Sequence, residues 1–226
     1  RDWAFRLPAL FVFLVGALYT YRLGALLFTQ TVARLAVLML LFSQHAVLST
    51  ADVRMEPFLT GFLTASVFHL LRGRDSWRDF IIGCAFLGAA VMTKGPFVVL
   101  PIIGALFAWE WRRLPPLRLV LAPVLTVLFT TPELWCLWRQ FGATGLRMFF
   151  WDNQFGRFAD LNGGAIPHGG YDFFFHTVLW AFAPWGFWLY AAVFAHFRER
   201  GPVRHLLGAI VPTFLMFAVS RHQLPH

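Results

Sequence analysis

The chain has 226 residues, 58% of them hydrophobic and 13% charged, with a formal net charge of +8 and a mean hydropathy of +0.63. That balance excludes a water-soluble globule and points to a bilayer. A nucleic-acid binder is excluded as well, because the arginines fill short gaps between apolar runs, as they do in membrane-flanking loops.

Eight apolar runs follow one another: Leu7–Tyr21, Val32–Leu48, Pro57–Leu71, Phe80–Met92, Phe97–Trp111, Leu119–Trp138, Phe173–Phe197 and His205–Val219. They predict an all-α fold, a polytopic transmembrane bundle of about eight membrane helices forming one domain over residues 1–226. Several runs fall short of the ~20 residues that a straight span needs. The 27 Phe and 10 Trp supply rings for lipid contact and for the interface belts. Cys84 and Cys136 both lie in apolar stretches and are expected to act as small buried hydrophobes. The chain opens on Arg1-Asp2 with no initiator Met or signal peptide, and it stops at Leu224-Pro225-His226. It is therefore expected to be an internal piece of a larger membrane protein.

Charge sets the expected orientation. One set of alternate loops holds Arg22, Arg34, Arg72, Arg74, Arg78, Arg112, Arg113, Arg118, Arg198, Arg200 and Arg204, which are 11 of the 19 basic residues. That set belongs on the cytoplasmic side. Both arginine-rich flanks of Ile81–Trp109 then lie inside, so this stretch should be threaded as a hairpin. Arms of 13 to 15 residues would reach only about 20 Å, less than the ~30 Å hydrocarbon core, which recesses the turn below the outer surface.

Lys94 stands in that turn, in the break Thr93-Lys94-Gly95-Pro96, and it is the only lysine in the chain. An ionised amine at membrane depth costs at least about 2.5–3.5 kcal/mol unless it faces a cavity or a counter-charge. An anionic ligand would supply that charge, and Gly95 and Pro96 supply the backbone break that points the lysine inward. The plainer alternative is a lysine snorkelling from a helix end.

On the outer side, Asp52-Val53-Arg54-Met55-Glu56-Pro57 lies between two apolar runs. On one helical turn Asp52 and Glu56 would share a face, where they could hold a divalent cation or supply a general base, with Arg54 as a phosphate partner. An ordinary polar connection with Arg54 paired to an acid remains the alternative. Pro57 is expected to open the next helix. The longest non-apolar stretch, Arg139–Asp172, contains the aromatic segment Phe149–Phe158, which reads as an interfacial helix on the outer side. A helix there would present Asn153 and Arg157 on one side, placing an arginine to clamp phosphate or to sit at the headgroup level. His168 and Tyr171 precede the seventh run, and Arg221 follows the last one on the same rim. His45, His69, His176, His196 and His205 are expected to be interface or packing residues.

These acids and cations gathered round one cavity would suit a phosphate-bearing lipid donor and an acceptor hydroxyl. A transporter or flippase of an anionic lipid or solute is the competing expectation, which an inverted repeat would favour. No such repeat is evident in the two halves.

Several short motifs in this order resemble those of the type C polytopic glycosyltransferases that use lipid-phosphate sugars, the protein O-mannosyltransferases and aminoarabinose transferases. The opening Arg6-Leu7-Pro8 is similar to the start that follows the family's large first outer loop. Asp52–Glu56 resembles its second-loop acidic position, Met92–Pro96 its lysine motif, and Phe149–Phe158 its aromatic stretch. Gln223-Leu224-Pro225-His226 resembles a further motif, cut off before its tyrosine. The resemblance implies a membrane glycosyltransferase that moves a sugar from a polyprenyl-phosphate donor to a lipid, glycan or protein acceptor. The site would face the periplasmic or outer side of a bacterial inner membrane. Lys94 and Arg157 would contact the donor phosphate, and Glu56 would position the acceptor or a divalent metal ion. By the same resemblance the chain lacks the N-terminal span, the first outer loop with the principal catalytic acid, and the C-terminal part.

Overall fold

The computed structural model describes residues 2–52, 54–108, 115–155, 173–196 and 201–219. Among these, the regular elements are all helical. They are α1 (Asp2–Leu27), α2 (Gln30–Leu41), α3 (Gln44–Ala51), α4 (Glu56–Arg72), α5 (Trp77–Lys94), α6 (Val99–Ala108), α7 (Pro116–Arg147), α8 (Phe173–Ala181), α9 (Gly186–His196) and α10 (Val203–Val219). A 3₁₀ turn, Pro96–Val98, joins α5 to α6, and a π-helical turn, Met148–Asp152, extends α7.

α4 occupies the centre, packed between α1 and α5. The α1–α4 crossing is close because Gly16 meets Gly61 there: a Cβ on Gly16 would stand 3.0 Å from the Gly61 Cα. On the other side Ser66 donates to the Gly83 carbonyl at 3.0 Å, tying α4 to α5 within the core. Ile102 of α6 joins Leu70, Phe80, Cys84 and Leu87 in one buried cluster, while α6 packs chiefly against α10, where His205 Nδ1 lies 2.8 Å from the Ala105 carbonyl. α5 is longer than the arm the sequence suggests. Its 18 residues reach about 27 Å, so arm length alone does not recess the turn.

At the α4–α5 connection, Ser76 caps α5 by accepting from the Asp79 amide. His69 bridges two helices there: Nδ1 lies 2.7 Å from Asp79 Oδ1, and Nε2 lies 2.9 Å from the Tyr19 hydroxyl. Arg118 of α7 is buried against the same turn, donating to the Gly73 and Arg74 carbonyls with its guanidinium 4.7 Å from the Trp77 ring centre. Cationic groups at the end of α4 suit the negative pole of its dipole.

Two expected spans are broken. Val32–Leu48 bends by 53° between α2 and α3, where Ser43 leaves the helix with extended backbone. Phe173–Phe197 bends by 117° between α8 and α9, where Pro184 lacks the amide proton to carry a helix through. The bends touch each other, since the Gln44 amide donates to the Ala183 carbonyl at 3.1 Å. Among the described residues, two stretches, Arg6–Leu27 and Pro116–Phe155, are long and apolar enough to cross a membrane, or up to four if each bent pair is one span. Large apolar side chains stay exposed along them, Phe11, Val120 and Leu128 among them, as lipid-facing helices require. Cys84 is buried as expected, whereas Cys136, on α7, is exposed.

The stretch Arg139–Asp172 is not a loop as far as it is described. α7 continues through it to Phe155, kinked at Gly142, which adopts φ 61°. The helix expected over Phe149–Phe158 therefore begins earlier, and its last three residues lie outside the described part.

Candidate functional site

The site is built where two helix ends of opposite polarity meet. Antiparallel packing of α4 on α5 brings the first residue of α4, Glu56, beside the last residue of α5, Lys94. An acid at a helix N-terminus and a base at a C-terminus each complement the local dipole, so both positions are electrostatically sound before the two side chains meet. They do meet: Lys94 Nζ lies 3.3 Å from Glu56 Oε1. The side chains are 37% and 21% exposed, which leaves the ammonium accessible to a further partner. Pro57 sits in the first turn of α4, as the sequence suggests.

Gly95 sets the direction of the break. It has φ 89° and ψ 178°, a conformation open essentially to glycine alone. A Cβ there would stand 2.1 Å from Gln154 Nε2, so the Gln154 side chain lies directly on the Gly95 backbone. Gln154 is 7% exposed. Its helix is held over the break by Phe149, which packs on Ala90, Val91 and Val98, and by Phe155, whose ring centre is 5.2 Å from that of Phe97.

The other expected site residues divide into two groups. Asp52 does not share a helical face with Glu56, because α3 ends at Ala51 and α4 begins at Glu56, with a turn between them. Asp52 instead pairs with Arg54 at 3.2 Å, and both are exposed (55% and 42%). Asn153 points outward, and Gln154 takes the inward place. The π turn just before them adds a residue to the helical repeat and so changes which side chain faces the break. Arg157, His168, Tyr171 and Arg221 lie outside the described residues.

Two residues of the site were not singled out from sequence. Gln154 could have been noticed as one of two adjacent amides, with Asn153, inside an aromatic run. His45, read as an interface or packing residue, is near enough to Glu56, Arg54 and Lys94 for their charges to act on it. The carboxylates are taken up by protein cations, and the described residues hold no group of three or more His, Cys, Asp or Glu placed for a metal.

Residues 1–138 match the dolichyl-phosphate-mannose-protein mannosyltransferase family. The chain belongs to that family. Its helices follow the same course as those of ArnT from Cupriavidus metallidurans. With the crystal structure of ArnT bound to undecaprenyl phosphate, the TM-score is 0.80 at 21% identity, covering 99% of this chain and 42% of ArnT. With the apo ArnT structure, the TM-score is 0.74 at 21% identity, covering 97% and 41%. The chain thus spans less than half the length of these proteins. No curated protein matches it. Membership of this mannosyltransferase family and the ArnT-like fold make the chain an integral membrane protein, and they do not favour the transporter expectation.

Proposed function

We propose that this chain carries the donor-phosphate part of a membrane glycosyltransferase. The enzyme moves a sugar from a polyprenyl phosphate to a lipid, glycan or protein hydroxyl on the outer, periplasmic face of a bacterial inner membrane. The observation that carries the reading is the lone lysine at a helix break, accessible and within reach of a carboxylate. Family membership and the fold shared with ArnT, one structure of which is bound to undecaprenyl phosphate, support it.

In this reaction the acceptor oxygen forms a bond to the anomeric carbon while the bond from that carbon to the donor phosphate oxygen breaks. Negative charge accumulates on the departing phosphate. A fixed ammonium beside it stabilises that charge most where it is largest, in the transition state. Lys94 is the group for this, and Arg157 is proposed as a second phosphate contact. Glu56 receives the acceptor hydroxyl by hydrogen bonding and fixes its approach, the acceptor's proton passing to a base. Gln154 and Gly95 hold the lysine's backbone in place and act as positioning residues.

The test is transfer from a lipid-linked donor in membranes holding the full-length protein. Lys94→Ala, at matched expression, should reduce transfer at least about 100-fold, the usual loss on removing one donor to a developing oxyanion. Transfer at the wild-type rate would refute the phosphate role.

A further inference from the structure

The same contact that marks the site has a second consequence. We propose that Glu56 is an exchangeable counter-charge for Lys94: the donor phosphate and the Glu56 carboxylate compete for one ammonium, and arrival of the phosphate releases the carboxylate toward the acceptor. This deepens the reading above and rests on the phosphate role of Lys94.

Three features of the pair suit exchange. The 3.3 Å separation is longer than the ~2.7–2.9 Å of a tight charge-assisted N–H···O bond, so the contact is loose. A lysine ammonium is a point charge with three rotatable donors, which can change partners without the fixed fork geometry that binds an arginine to one carboxylate. Both groups are partly exposed, so a phosphate oxygen has access to the ammonium that a fully buried pair would deny.

Glu56 does not depend on Lys94 alone. It stands in the first turn of α4, at the positive end of the helix dipole, so the carboxylate keeps electrostatic support once the ammonium turns away. One carboxylate oxygen, Oε1, is therefore held by the ammonium before the donor phosphate arrives and freed afterwards, which favours donor before acceptor. An acceptor that entered first would meet a carboxylate with Oε1 still on the ammonium.

The sign of the effect makes this testable, because removing an acid from a site should tighten the binding of phosphate. The experiment titrates undecaprenyl phosphate, without a sugar, into the detergent-solubilised full-length protein and its variants. Glu56→Gln should bind about two- to five-fold more tightly than wild type, the range expected when a half-exposed ion pair no longer competes, while sugar transfer falls. Glu56→Asp keeps the charge but shortens its reach, and should tighten binding by less. In a Lys94→Ala background, binding should be weak and unaffected by Glu56→Gln. If Lys94→Ala weakens binding but Glu56→Gln and Glu56→Asp leave it unchanged or weaker, exchange is overturned and the phosphate role stands. If Lys94→Ala binds like wild type, the phosphate role itself falls, and exchange falls with it.

Discussion

Replacing Gly95 with alanine probes the geometry on which the site depends. Two separable penalties follow from the structure. At φ 89° and ψ 178° an L-residue occupies a region open essentially to glycine, at about 1–3 kcal/mol. The new methyl would also fall 2.1 Å from Gln154 Nε2 and force that buried side chain to move, an overpacking cost of about 1–3 kcal/mol. Gly95→Ala should thus destabilise the protein by about 2–6 kcal/mol, with Lys94, one residue away, displaced and donor binding weakened. Removing the Gln154 side chain abolishes the second penalty and leaves the first. The double variant Gly95→Ala/Gln154→Ala should therefore be more stable than the sum of the single changes by about 1–3 kcal/mol. Thermal or denaturant unfolding of the four detergent-solubilised proteins measures this cycle. Single changes that add within about 0.5 kcal/mol would refute the claim that Gln154 bears on the break.

Further expectations concern other parts of the chain. Arg157→Lys keeps the charge but loses the two-pronged guanidinium, and should cut sugar transfer about tenfold or more if Arg157 clamps phosphate; transfer equal to wild type would dismiss bidentate clamping. His69 serves both Tyr19 and Asp79, so His69→Ala should cost about 2–4 kcal/mol in an unfolding assay. Tyr19→Phe removes only one hydroxyl contact and should cost about 1 kcal/mol. Equal losses would mean that the Asp79 contact contributes nothing.

The positions of the apolar helices were legible because a membrane span leaves a long, one-sided compositional signal. The break at Thr93–Pro96 was legible for a related reason: a lysine, a glycine and a proline in succession have no business inside a plain apolar helix. The bends at Ser43 and Pro184 were harder to see. Each lies inside one continuous apolar run, and apolarity does not distinguish a straight helix from two short ones. The Glu56–Lys94 contact joins residues 38 apart and follows from α4 packing antiparallel to α5, which no local pattern encodes. The proposed Asp52–Glu56 face failed because i,i+4 spacing implies a shared face only inside one helix, and here the chain changes helices between them. Gln154 and Asn153 show the same limit in finer form, since one π turn changes which neighbour points inward.

The central claim is that Lys94 holds the phosphate of a polyprenyl-phosphate donor. A structure of the full-length protein with polyprenyl phosphate bound tests it most directly. A phosphate oxygen within about 2.7–3.2 Å of Lys94 Nζ, with Glu56 moved off the ammonium, is the predicted result. A phosphate bound elsewhere while Lys94 stays on Glu56 would contradict the account.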